Sequence, residues 1–362
     1  MKSRLLLSLA LLLPLGAWCH TDRDITLSRT DSQGRRITLA GTLTTPDGRA
    51  PRGGWPAMLL ITGSGPENRD EEILGHKPFK AIAEYMASQG IATLRFDDRG
   101  VGGSTGAFAD VTIFDLADDA EAEWNRLCHT RGINPRRVGL LGHSEGSTIA
   151  LIVAARQPQA AFVISMAGPG VTMRQNLLRQ NQDIFALRGL PDSLISRRLD
   201  YMRDVFDSVD SLAAIDTAGI VKRFNLAFRQ YKDNRAAGLS KSEKQAAGLT
   251  NQECYAWALT MSQPYMLRLL DLDPADYISR LACPLLAVNG DKDCQVDCNT
   301  NLRAILSAYR DSGGHIQTRI YTDRNHLFQQ CQTGAVEEYQ SLGQSPDPAV
   351  LADLSRWILS VL

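Results

Sequence analysis

"LLGHSEGSTIA", Leu140–Ala150, sets Ser144 between Gly142 and Gly146, after an apolar run and before a helix-forming one. The stretch reads either as an ordinary tight turn or as a device that holds a serine hydroxyl within reach of a substrate. In a sharp strand-to-helix turn, side chains at 142 and 146 would clash with the neighbouring strand and helix, and glycine relieves both clashes. The hydroxyl then projects from the C-terminal edge of a sheet, where folds of alternating strands and helices bind ligands. The helix opening at Glu145 points its N-terminus to the same place, which favours developing negative charge.

The flanking sequence supplies the sheet. "AMLLITG" (57–63), "VGLLGHS" (138–144) and "AFVISMAG" (161–168) are apolar runs suited to strands buried on both faces. Between and after them lie helical patterns: "KPFKAIAEYMASQG" (77–90), "FDLADDAEAEWNRLCH" (114–129) and "EGSTIALIVAARQP" (145–158). This cadence predicts an α/β fold with a mostly parallel central sheet and helices on both faces. Before it, "RRITLAGTLTTP" (35–46) alternates as a half-buried antiparallel strand. The cadence stops near Gly168 and resumes at "CPLLAVNGDKD" (283–293) and "HIQTRIYTDRNH" (315–326). In between, Ile195, Leu199, Met202, Phe206 and Val209 form one helical stripe, and Ile220, Val221, Phe224, Ala227 and Phe228 a second. Both stripes read first as core packing. The division expected is a leader at 1–19, a core of 20–169 and 276–362, and a helical cap inserted at 170–275.

The chain of 362 residues has a formal net charge of -1, which gives no electrostatic footprint for nucleic acid or an anionic membrane. Lys2 and Arg4 precede the short apolar run Leu5–Cys19, which matches a secretory signal peptide and is too short for a confident membrane span. Export to the periplasm or the medium is expected, without stable membrane insertion after cleavage. Lipidation at Cys19 is disfavoured by bulky Trp18 before it. Beyond Cys19 six cysteines remain, Cys128, Cys254, Cys283, Cys294, Cys298 and Cys331. An even number in an exported chain points to disulfides. Cys294 and Cys298 are close, but no second cysteine pair with zinc-ligand spacing accompanies them, so no metal and no cofactor is expected.

A serine hydroxyl is a weak nucleophile and needs a base, and the base needs an orienting acid. Of six histidines, His326 follows the last strand on the same edge as Ser144. His315 precedes that strand, and His143 sits beside the serine but is read as pointing away from it. For the acid, the loop after "LLAVNG" offers Asp291, Asp293 and Asp297. Asp291 falls at the strand end, Asp293 is far enough along to reach His326, and Asp297 is the outside choice. The order Ser144, Asp293, His326 differs from that of trypsin-like and subtilisin-like enzymes. For the oxyanion, the backbone amides of Glu145 and Ser64 are the candidates, the second from the loop "ITGSGPENRDE" (61–71). The Glu145 side chain is read as a favourable first-turn acid rather than a catalyst. "FDDRGVGGSTG" (96–106) lacks a dinucleotide fingerprint and reads as a crossover with Asp97 or Arg99 in internal ion pairs.

Taken together, "GHSEG", "ITGSGP" with "NRDE", "FDDRGVGGSTG", "NGDKDCQV" and "NHLFQ" resemble bacterial secreted α/β-hydrolase esterases over roughly residues 35–360. The resemblance implies the α/β-hydrolase fold and hydrolysis of carboxylic esters, usually of short acyl chains, through an acyl-enzyme. It carries over Ser144, Asp293 and His326 as the triad and the Thr62–Gly65 loop as part of the oxyanion hole. In that fold the loops bearing Cys294 and Cys331 meet, so a Cys294–Cys331 disulfide pinning acid and base loops together is expected. The partner expected is a small-molecule or carbohydrate ester. Rival readings are a serine peptidase or acyl-thioesterase on the same machinery, and a non-catalytic binding module.

Overall fold

The computed structural model describes residues 20–109, 111–215, 219–309 and 315–362. Eight strands form one sheet: β1 (His20–Thr30), β2 (Arg36–Pro46), β3 (Trp55–Ile61), β4 (Ala92–Phe96), β5 (Ile133–His143), β6 (Val163–Met166), β7 (Leu285–Gly290) and β8 (Ile316–Tyr321). Their order is β1-β2-β4-β3-β5-β6-β7-β8. The β1–β2 and β2–β4 pairings are antiparallel, and every later neighbour is parallel.

Helices α1 (Pro78–Ser88), α2 (Ile113–Cys128) and α3 (Glu145–Arg156) link the first parallel strands, while α11 (Cys298–Tyr309) and α12 (Pro348–Val361) flank β8 in the chain. The apolar runs are buried on both faces because successive strand residues point to opposite sides. Ala57, Leu59 and Ile61 join the core under α2 and α3, whereas Met58 and Leu60 join the core under α1 and α12. Helix α3 lies so deep that Glu145 through Ala154 are all buried. β8 is an edge strand whose residues are largely exposed, which suits its Gln, Thr and Arg content.

β6 pairs directly with β7, Val163 opposite Leu285 through Met166 opposite Val288. The chain between these two neighbours forms α4 (Met173–Leu187), α5 (Asp192–Ala213), α6 (Ile220–Arg235), α7 (Lys241–Ala246), α8 (Asn251–Met261), α9 (Pro264–Leu269) and α10 (Ala275–Ile278). The α5 stripe, with Phe224 and Phe228 of α6, packs into a third apolar cluster distinct from the two cores on the sheet. Among the described residues no helix is long and apolar enough to cross a membrane. The leader Met1–Cys19, and with it the signal-peptide expectation, lies outside the described residues.

Candidate active site

Ser144 joins β5 to α3 at φ 53° and ψ -122°. A non-glycine residue there carries backbone strain of about 1–3 kcal/mol, held only if the surroundings fix it. The fixing bonds are present. The Ser144 amide donates to Met166 O at 2.8 Å, and its carbonyl accepts from the Ser147 amide at 3.0 Å. A Cβ at Gly142 would lie 2.0 Å from Gly146 O, and a Cβ at Gly146 would lie 2.2 Å from Ile61 O. Both glycines are therefore steric requirements of the turn.

Asp293 and His326 come from the loops after β7 and β8. The Asp293 carboxylate accepts from the Gln295 and Val296 amides at 2.8 and 2.9 Å through Oδ1, and from His326 Nδ1 at 2.8 Å through Oδ2. Its side chain is 0% exposed and that of His326 is 6% exposed. Donation from Nδ1 fixes the imidazole orientation and leaves Nε2 as the nitrogen able to take a proton. The two rival acids are used otherwise. Asp291 is exposed. Asp297 accepts from the Thr300 amide at 2.8 Å at the start of α11 and pairs with Arg179 at 3.4 Å.

The loop after β3 comes up beside the elbow, with Gly63 packed near Ser144: a Cβ on this glycine would lie 3.5 Å from that of the serine. The Gly63 amide is committed to Glu71 Oε1 at 2.8 Å. Among the described residues the neighbouring Ser64 amide has no such partner. The Glu145 amide opens α3, where helix amides lack intrahelical acceptors. Ser64, Ser144 and Glu145 line a cavity of about 320 Å³ roofed by inserted residues, among them Met173, Leu177, Trp257, Tyr265 and Met266.

Glu145 is more than a first-turn acid. Its carboxyl is buried, accepts from Ser64 Oγ at 3.0 Å, and takes a short hydrogen bond from the Tyr265 hydroxyl of α9. Burial pushes it up to about 7, helped by nearby Asp98 and opposed by the Ser64 hydrogen bond. His143 has partners of its own. Its ring reaches Glu71 Oε1 and His326 O, each at 2.9 Å, and lies 4.8 Å from the His326 ring. Tyr265 carried no signal in the sequence, because it meets Glu145 across 120 positions; Glu71 closes the "NRDE" stretch, but nothing local marks its contact with His143.

The Cys294–Cys331 disulfide does not form, and all six described cysteines are free thiols. Cys294 Sγ donates to Gly334 O at 3.3 Å and Cys331 Sγ to Asp323 O at 3.7 Å, so the thiols face different backbone partners. Five of the six are buried and behave as small apolar groups. Burial pushes Cys294 and Cys128 up to about 12 and Cys283 to about 11, which disfavours the thiolate form. In the crossover, Asp97 pairs with Arg69 at 2.7 Å, and Arg99 pairs with Asp119 and with Asp31, as its sequence implied.

Residues 76–326 match the family described as "Serine aminopeptidase, S33". The chain belongs to this family. An esterase of Thermotoga maritima, EstD, is 23% identical over 322 residues, covering 89% of this chain and 65% of its own length. A polyketide transferase of Penicillium crustosum is 34% identical over 89 residues, 24% of this chain and 29% of its own. The chain thus spans less than two thirds of these relatives. Among solved structures, a hypothetical protein of Pseudomonas aeruginosa superposes with a TM-score of 0.55 at 15% identity, covering 100% of both chains. An esterase of Pyrococcus furiosus does so with a TM-score of 0.52 at 16% identity, over 94% and 92% of the two chains. This likeness is one of fold. The S33-family chain is thus an α/β-hydrolase.

Proposed function

We propose that this S33-family hydrolase is an exported serine esterase of the carboxylesterase type, acting on esters with short acyl groups, including esters of carbohydrates, through an acyl-enzyme. One observation carries the reading: a serine on a strained elbow lines a cavity beside the inserted helices, and a buried, hydrogen-bonded Asp–His pair stands on the two neighbouring loops. Ser144 Oγ attacks the ester carbonyl while His326 Nε2 takes its proton. Asp293 holds the imidazole and stabilises the imidazolium that forms. The Ser64 and Glu145 amides receive the oxyanion. His326 then returns the proton to the leaving alcohol, and water deacylates Ser144 by the same steps reversed. The modest cavity supports short acyl groups, and export rests on the leader Met1–Cys19.

The family description favours a second reading, cleavage of an amide bond behind a free amino terminus. The same triad would serve, with the buried Glu145 carboxyl near the amine. The test is turnover of p-nitrophenyl esters from acetate to palmitate beside aminoacyl p-nitroanilides, by the wild type and Ser144→Ala. Ester turnover that vanishes in the variant supports the esterase. Turnover of the anilides alone favours the peptidase. A folded protein that turns over neither and fails to react with a fluorophosphonate refutes both.

A further inference from the structure

His143, next to Ser144 in the chain, and Glu71, at the end of the "NRDE" stretch, are both buried, 6% and 5% exposed. Glu71 Oε1 accepts from the Gly63 amide at 2.8 Å and from His143 Nδ1 at 2.9 Å. His143 Nε2 in turn reaches the carbonyl of His326 at 2.9 Å. Three segments are joined in this way: the oxyanion loop after β3, the end of β5 next to Ser144, and the loop that carries the base.

The partners fix one proton. A peptide carbonyl only accepts, so His143 Nε2 bears a proton. The second proton lies between Nδ1 and Glu71 Oε1. Carried by the imidazole, it makes the pair an imidazolium and a carboxylate. Burial would pull the His143 imidazole down, but the Glu71 charge and hydrogen bond and the His326 carbonyl outweigh it and push it up to about 9. Asp293 acts in the same direction, and Glu67 also faces the pair. Glu71 itself sits at φ 52°, a conformation that a glutamate adopts only when its surroundings impose it.

The His143 ring lies 4.8 Å from the ring of His326, so the pair packs directly against the base. We infer that Glu71 and His143 are a positioning pair, an internal ion pair that sets the oxyanion loop and the base loop at fixed places around Ser144. This rests on the serine-hydrolase reading above. Neither residue touches substrate, and both act through Gly63 and His326.

The test uses the full chain. ¹⁵N NMR of the wild type should show both ring nitrogens of His143 protonated at about pH 8, and a singly protonated ring overturns the pairing without recourse to any variant. Glu71→Gln keeps an acceptor but not the charge, and His143→Gln keeps one donor. Each should lower kcat on a short p-nitrophenyl ester about 10- to 100-fold, with KM changed less than about threefold, because misplacement of catalytic groups acts on the reacting state. Fluorophosphonate labelling of Ser144 should slow in parallel, and the double variant should be no worse than either single, the signature of one coupled unit. Ile358→Val, in the core under α12, controls for lost stability and should label at the wild-type rate. Labelling within about twofold of wild type in both folded single variants overturns the proposal alone. A wild type that does not label sinks the hydrolase reading and this pair with it.

Discussion

Ser144 occupies a backbone conformation that only a rigid surround maintains, and that surround begins with two glycines. Gly146→Ala would drive a Cβ to 2.2 Å from Ile61 O. The expected cost is at least about 3 kcal/mol, read as a lower urea midpoint together with lost labelling of Ser144. A Gly146→Ala protein of wild-type stability would mean that the elbow relaxes freely. Asp293→Asn should leave the fold intact and lower kcat on the order of 10³- to 10⁴-fold, since an amide favours the wrong imidazole tautomer. Unchanged kcat in that variant would remove Asp293 from the triad. What was readable at this scale followed local rules. Glycine spacing is a steric statement about neighbouring residues, so Ser144 stood out at once. Glu71 meets His143 across 72 positions and Glu145 meets Tyr265 across 120, and no pattern in one sequence encodes such meetings.

Among the elements, the central strands and α3 were plain in the sequence because burial on every side leaves unbroken apolar runs. The order of strand, acid loop, strand, base loop placed Asp293 and His326 on one edge. Cysteine pairing failed for the opposite reason: a count of thiols carries no information on where their Cβ atoms point. Polar contacts fasten the inserted helices to the site. Asn176 of α4 donates to Gln295 O at 3.2 Å, and Tyr265 of α9 donates to Glu145. Tyr265→Phe should preserve the melting temperature within about 2 °C and raise KM for short esters more than it lowers kcat. A p-nitrophenyl series reads this directly. A pure kcat loss would instead place Tyr265 in the chemistry.

At the scale of the whole molecule, stability should lean toward mild acid. Burial pushes Asp98 and Glu145 up to about 7, and Glu67, also beside Glu71, to about 7. Raised carboxyls bind protons in the native state that the unfolded chain has already released, so stability falls as pH rises from about 4.5 through 7. His143, raised to about 9, contributes stability that is fully present below about 6.5 and lost as pH passes 9. Against these, Asp97 is held below its usual range because Arg69 and backbone amides outweigh its burial, and that contribution is lost on strong acidification. The melting temperature should therefore peak near pH 5 and decline toward pH 9, and a rise toward pH 9 in differential scanning fluorimetry would contradict this. Because the six described cysteines are free, dithiothreitol should leave the melting temperature unchanged. A drop of several degrees would reveal a cross-link.

The direct pairing of β6 with β7 has a further consequence. The inserted helices enter and leave the sheet at adjacent strands, so they hang from a single hinge line like an exchangeable head on a common handle. A change in the length of that head leaves β6 and β7 in register, and with them the handle that holds the elbow and its loops.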